Sequence, residues 1–177
     1  MRQESFSFFK PNPSAFGGSL QKGKRKSARP LNPKTTLHIV LKSSRARGAW
    51  SMLRHKTKIR DLLERVANEN QIKIYQYSNV GNHLHLLVQL KDRKCFQKFL
   101  RVFSGRVALL VTGAKKGNAQ GPFWNERPFT RIVEWGRDFK RMAYYFIKNE
   151  LESRGYSGAF ARNLVRRGFV LVEPGPM

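Results

Sequence analysis

Apolar and polar residues alternate with a period of two in several short segments, and this period predicts β-strands. The alternation is strongest over residues 36–42, 72–77 and 83–90. Gly81-Asn82 separates the last two segments, so residues 72–90 are predicted to form a hairpin. Phe123-Trp124 and residues 129–133 together predict a fourth strand, interrupted near Pro128.

Three longer segments repeat their apolar residues at helical spacing. They are residues 55–71, 94–111 and 137–153. The resulting order is strand, helix, strand, strand, helix, strand, helix, which is typical of a split β-α-β unit. We therefore predict an α+β, ferredoxin-like fold, with two helices on one face of an antiparallel sheet and an added C-terminal helix.

The two ends of the chain differ in composition from this central region. Residues 1–34 combine Gly, Ser and Pro with the basic cluster Lys24-Arg25-Lys26, which predicts a flexible basic tail. The folded domain is expected to span residues 35–155. Residues 156–177 are predicted to form a basic C-terminal extension.

The charge of the chain indicates the class of its partner. Its 177 residues include 35 Lys and Arg against 11 Asp and Glu, a formal net charge of +24. A polyanion that neutralises this excess, above all nucleic acid, explains it most simply, and a solvated basic surface or a membrane-surface binder is the alternative.

Hydrophobic residues make up 40% of the chain, which excludes wholesale disorder. Cys95 has no partner for a disulfide, which indicates a reducing cytoplasm, and no apolar segment is long enough to span a membrane.

His83 and His85 are the first candidate functional residues. Alternate side chains of a strand share a face, so the two imidazoles point the same way, while Leu84, Leu86 and Val88 point into the core. Two imidazoles in this arrangement can bind one divalent cation if a third ligand approaches from another element. A polar strand face without a metal would have the same pattern.

The third predicted helix carries the second candidate group. Tyr145 lies away from the centre of its apolar side, and Asn149 follows one turn later on the same face. This face can present a phenol and an amide oxygen together. Ordinary amphipathic packing with exposed hydroxyls is the alternative, and the adjacent Tyr144 is a rival for Tyr145.

These segments together resemble a known family of enzymes. The run Asn82-His83-Leu84-His85-Leu86-Leu87-Val88 is similar to the His-hydrophobic-His motif of the HUH endonucleases, specifically the single-tyrosine transposases of insertion sequences and their REP-associated relatives. The segments 62–67 and 72–77 resemble the helix and strand that precede this motif. Phe123-Trp124-Asn125-Glu126-Arg127 and Tyr145-Phe146-Ile147-Lys148-Asn149 resemble the family's Phe-Trp region and tyrosine helix. The resemblance covers residues 30–152.

The resemblance implies a role for each matching residue. Tyr145 would be the nucleophile, and His83, His85 and Asn149 would bind Mg²⁺ or Mn²⁺. The implied activity is metal-dependent cleavage and transfer of single strands at hairpin DNA ends through a 5′-phosphotyrosine, without a small-molecule cofactor. Both a monomer and a homodimer are compatible with the family.

Other basic residues are candidates for nucleic-acid contact. They are Arg45, Arg47, Arg101, Arg106, Lys115, Lys116 and Lys148. The alternative function is a non-catalytic, basic DNA- or RNA-binding protein on the same scaffold. His38 would neighbour the histidine pair if its strand pairs beside theirs, although an ordinary exposed or core histidine is the favoured interpretation.

Overall fold

The computed structural model describes residues 14–23 and 27–166, and its strands and helices between residues 36 and 153 follow the predicted order. The strands are β1 (Ala15–Phe16), β2 (Thr36–Lys42), β3 (Lys73–Asn79), β4 (His83–Gln89) and β5 (Phe129–Val133). The helices are α1 (Lys56–Glu69), α2 (Arg93–Thr112), α3 (Arg137–Ser153) and α4 (Gly158–Arg166). Phe123 and Trp124 precede β5 outside any strand.

The strands form one antiparallel sheet in the order β1-β5-β2-β4-β3. Apart from β1, this is the split β-α-β arrangement, so the predicted α+β, ferredoxin-like class is confirmed. The central strand β2 pairs with β4 on one side and with β5 on the other. Strands distant in sequence therefore lie side by side at the centre of the molecule.

The helices cover both faces of the sheet. The larger core lies between the sheet and helices α1 and α2, and it includes Leu37, Ile39, Leu84, Leu86 and Phe99. A smaller core on the opposite face joins α3 to the sheet through Leu87, Val133, Met142 and Phe146. The strand alternation explains this division, since Leu86 and Leu87 point to opposite faces. Within the described residues, no helix combines the length and apolarity of a membrane span.

Local interactions position the helix ends. The Asp92 carboxylate accepts a hydrogen bond from the Cys95 backbone N–H at 2.8 Å and caps α2. At the start of α3, the Arg131 guanidinium on β5 donates two hydrogen bonds to Asp138, at 3.0 and 3.1 Å. This pair ties the first turn of α3 to the sheet, and it therefore orients the helix that carries Tyr145.

Strand β1 lies within the segment predicted to be a flexible tail. Phe16 is 6% exposed and pairs with Thr130, while the Arg29 guanidinium lies 4.8 Å from the centre of its ring. Gly17 allows this docking because a Cβ at that position would lie 2.2 Å from the Pro128 carbonyl oxygen. An apolar anchor and a close backbone approach thus add a strand where composition indicated a linker. Residues 1–13, 24–26 and 167–177 lie outside the described residues.

Candidate active site

The two histidines predicted as metal ligands, His83 and His85, lie on the sheet face that α3 covers. Their ring centres are 4.6 Å apart, and His85 is 3% exposed. Leu84, Leu86 and Val88 all belong to the core on the opposite face, as the alternation predicted. The imidazoles can therefore act together on a group that enters between the sheet and α3.

Tyr145 meets this pair from α3. Its ring centre lies 5.4 Å from that of His85, at an interplanar angle of 82°. The side chain of Tyr145 is 39% exposed, so its phenol is accessible from solvent. Phe146, one residue later, is buried and packs edge-on against His85, which holds this part of the helix against the sheet. The neighbouring Tyr144 is 51% exposed.

His38 is the third histidine of the cluster. It lies on β2, next to β4, and its Nε2 is 3.1 Å from Nδ1 of His85. The two rings are nearly parallel, and the Tyr145 ring centre is 6.0 Å from that of His38. His38 is therefore a buried, hydrogen-bonded histidine, and it neighbours the candidate pair because its strand pairs beside theirs. The sequence contained a partial signal, since His38 alternates with Leu37 and Ile39, but only the strand order brings it beside His85.

Burial keeps these imidazoles neutral. Desolvation, reinforced by repulsion from Arg131, lowers the pKa of His38 to about 4. Desolvation also lowers the pKa of His85 to about 3, with repulsion from His38 and His83 as smaller causes. The pKa of His83 is lowered by desolvation and by Lys42. Neutral imidazoles have a lone pair to offer, which is the form that binds a metal ion.

The hydrogen bonds indicate which ring nitrogens remain available as ligands. Nδ1 of His83 is 2.5 Å from the side-chain oxygen of Asn82, so it donates and leaves Nε2 with its lone pair. His85 uses Nδ1 for His38, and its Nε2 is buried without a hydrogen-bond partner among the described residues. An unpaired buried nitrogen is costly unless a further group satisfies it.

Two more buried polar atoms without a described partner lie on β3, which pairs with β4, and on α3, which carries Tyr145. Ser78 Oγ is one of them, and Ser78 pairs directly with His85 across β3 and β4. Asn149 Nδ2 is the other, on the α3 turn after Tyr145. A half-turn of the Asn149 amide exchanges its nitrogen for its oxygen, so the side chain can offer an oxygen ligand. The donor chemistry fits a hydrated divalent cation, although no three His, Cys, Asp or Glu side chains in the described part of the chain form a metal cluster.

The basic residues predicted to contact nucleic acid lie in several places. Arg101 and Arg106 are exposed on α2, across the sheet from Tyr145. Arg45 donates a hydrogen bond to the Pro122 carbonyl oxygen at 2.8 Å and lies over the Trp50 ring, while Lys148 pairs with Glu152 on α3. The remaining three, Arg47, Lys115 and Lys116, are exposed in loops. Their contacts with nucleic acid remain predictions.

Lys42 is a basic residue near the site that the sequence analysis did not select. It pairs with His83 across β2 and β4, and its side chain is exposed. Paired residues of neighbouring strands point to the same face, so the ammonium group belongs to the side of the sheet that carries the histidines. The alternation of β2 could have identified it, because Lys42 follows His38 and Val40 at intervals of two residues and therefore shares their face of the sheet.

Comparison with known proteins identifies a matching family and a similar fold. The family model described as "Transposase IS200 like" matches residues 32–148. Among solved structures, the chain is similar to a REP-associated tyrosine transposase bound to a REP hairpin, with a TM-score of 0.57 and 14% sequence identity. That similarity covers 86% of this chain and 93% of the other. No curated protein sequence matches significantly. The family match spans well over half of the chain and includes His83, His85 and Tyr145. The protein therefore belongs to the IS200-like transposase family.

Proposed function

We propose that this transposase-family protein is a metal-dependent, single-strand DNA endonuclease and strand transferase that acts at hairpin DNA ends. The observation that carries the proposal is the 5.4 Å separation between the ring centres of Tyr145 and His85, which belong to different elements. A phenol beside a pair of neutral imidazoles suits nucleophilic attack on a phosphate bound next to a cation.

His83, His85 and Asn149 would hold Mg²⁺ or Mn²⁺. The cation would neutralise charge on the scissile phosphate and polarise one of its oxygens. The buried Nε2 of His85, which has no hydrogen-bond partner in the described part of the chain, and the buried Asn149 amide support this donor set. His38, through its hydrogen bond to Nδ1, would hold the His85 ring with Nε2 directed at the cation.

Tyr145 would attack the phosphorus through its phenolic oxygen. The new bond joins that oxygen to phosphorus, the bond from phosphorus to the 3′ oxygen breaks, and the 3′ oxygen takes up a proton. The phenolic proton passes to solvent, which reaches this side chain. The products are a 5′-phosphotyrosine and a free 3′-OH. Because one phosphoester replaces another, a different 3′-OH can reverse the step, which transfers the strand.

The test is formation of a covalent protein–DNA adduct that survives denaturation. The substrate is a library of hairpin DNAs with randomised single-stranded flanks, incubated with the full chain and Mn²⁺. We expect an adduct with the wild-type protein, and none in Tyr145→Phe, in His83→Ala or in the presence of EDTA. Tyr144→Phe is the matched control and should still form it.

One outcome would replace this proposal with its alternative. Metal-independent binding of the library without any adduct, in a correctly folded wild-type protein, would indicate a non-catalytic nucleic-acid-binding protein. Binding of the corresponding RNA hairpins at matched salt would then distinguish an RNA partner from a DNA partner.

A further inference from the structure

A cavity lies beside the histidine cluster, on the same face of the sheet. Its volume is about 360 Å³, and its lining includes Lys42, Val40, Phe129 and Glu126. Val40 pairs with His85 on one side and with Phe129 on the other, so these three side chains form one row across β4, β2 and β5. With neighbouring strands ~4.8 Å apart, Phe129 lies about 10 Å from His85 along this row.

That separation suits the next nucleotide along a single strand. A phosphate at the histidines would place the next sugar-phosphate unit over Val40, and the base attached to that unit can reach Phe129. The volume is near the lower end of small-molecule sites, which span about 300–1,000 Å³, and is suited to one nucleotide rather than a duplex.

The lining has the chemistry of a nucleotide site. Lys42 and Arg127 supply positive charge for phosphate, and Phe129 supplies a half-buried aromatic ring on which a base can stack. The Phe129 ring is held in place by an edge contact with His38, whose ring centre is 6.3 Å away. Glu126 is the acidic residue of the described lining, and its carboxylate can accept hydrogen bonds from the amino group of a base.

The segment after β1 closes one side of this cavity. The Gly18 backbone N–H donates to the Arg127 carbonyl oxygen at 2.9 Å. A Cβ at Gly18 would lie 3.4 Å from the Phe129 Cβ and 3.7 Å from the Glu126 Oε2. The docked N-terminal segment is therefore a wall of the cavity, in contact with the groups that would touch a base.

We infer that this cavity binds the nucleotide next to the scissile phosphate, with its base stacked on Phe129 and selected by Glu126, and with Lys42 on its phosphate. The inference rests on the proposed function, because it takes the position of the scissile phosphate from it. Glu126 favours a base that carries an amino group, namely adenine, cytosine or guanine, over thymine.

The experiment measures base preference by binding, separately from cleavage. Tyr145→Phe, which cannot form the adduct, is the parent protein, and the probe is the hairpin library with randomised flanks in EDTA. Sequencing the bound fraction gives the base preference at every flank position. We expect one position to disfavour thymine, Glu126→Gln to change the preferred base there, and Phe129→Leu to remove the preference and weaken binding by about tenfold. Phe160→Leu removes an exposed aromatic ring on α4 and serves as the control.

A second readout tests the stacking itself. The fluorescent base 2-aminopurine is placed at the selective position, and we expect its emission to be quenched by the parent and restored by Phe129→Leu. Unchanged preference in both variants, or no preference in the parent, would overturn the inference. A third outcome separates the two proposals. If the variants change the base preference but the wild-type protein forms no adduct, the nucleotide site is supported and the catalytic function is refuted.

Discussion

The Nε2 atom of His38 lies 3.1 Å from Nδ1 of His85, and both side chains are buried. This contact joins neighbouring strands of the sheet, and Nε2 of His85 has no hydrogen-bond partner among the residues that the structure describes. If Nε2 binds a cation, Nδ1 must carry the proton and donate it to His38. The pair therefore sets both the tautomer and the ring orientation of a proposed metal ligand.

The first prediction concerns metal affinity. His38→Phe keeps an aromatic ring but removes the hydrogen bond, so we expect the affinity for Mn²⁺ to fall at least about tenfold, as for other partners of metal-bound histidines. Calorimetric titration of the DNA-free protein with Mn²⁺ measures this. His38→Gln retains an acceptor and should recover part of the affinity, whereas equal binding by wild-type and His38→Phe proteins would show that the hydrogen bond does not support a metal site.

The second prediction concerns stability against pH in the metal-free protein. The pKa of His38 is about 4 in the folded chain and about 6.5 when unfolded. The unfolded state therefore binds more protons between these values, and His38 alone should cost about 3 kcal/mol of stability as the pH falls through this window. Thermal unfolding in EDTA at a series of pH values should show the loss, and His38→Phe should show a shallower dependence. Parallel curves for the two proteins would contradict the prediction.

The third prediction concerns the attachment of α3. Asp138→Asn removes the carboxylate that accepts both hydrogen bonds from Arg131 and leaves a half-buried guanidinium without its charge partner. We expect a loss of about 1 kcal/mol in the free energy of unfolding, measured by urea denaturation. Glu64→Gln alters an exposed ion pair on α1 and should have a smaller effect. A loss no larger than that of this control would mean that the pair does not anchor the helix.

The fourth prediction compares two basic residues on opposite faces of the sheet. Lys42 shares a face with the histidines, whereas Arg101 is exposed on α2. If the single strand follows the histidine face, Lys42→Met should reduce the slope of log affinity against log salt by about 1, and Arg101→Met should leave it unchanged. Fluorescence anisotropy with a labelled hairpin DNA at several salt concentrations measures both slopes. The reverse result would indicate that nucleic acid binds the α2 face of the sheet instead.

Much of the fold could be predicted because it depends on local periodicity. The predicted bounds of β2 and α3 agree with the structure, because alternating and helical patterns are recorded in consecutive residues. Strand β1 could not be predicted, since its two residues contain no period. It depends on the fit of Phe16 beside Thr130, more than a hundred residues away.

For the site, the sequence by itself determined that His83 and His85 share a strand face and that Tyr145 and Asn149 share a helix face. Only the tertiary structure decided that these faces meet, that His38 joins them, and that Val40 connects His85 to the cavity at Phe129. The physical reason is that alternation depends on the geometry of adjacent peptide units. Strand order and the face that a helix covers depend instead on which distant apolar surfaces bury each other most completely.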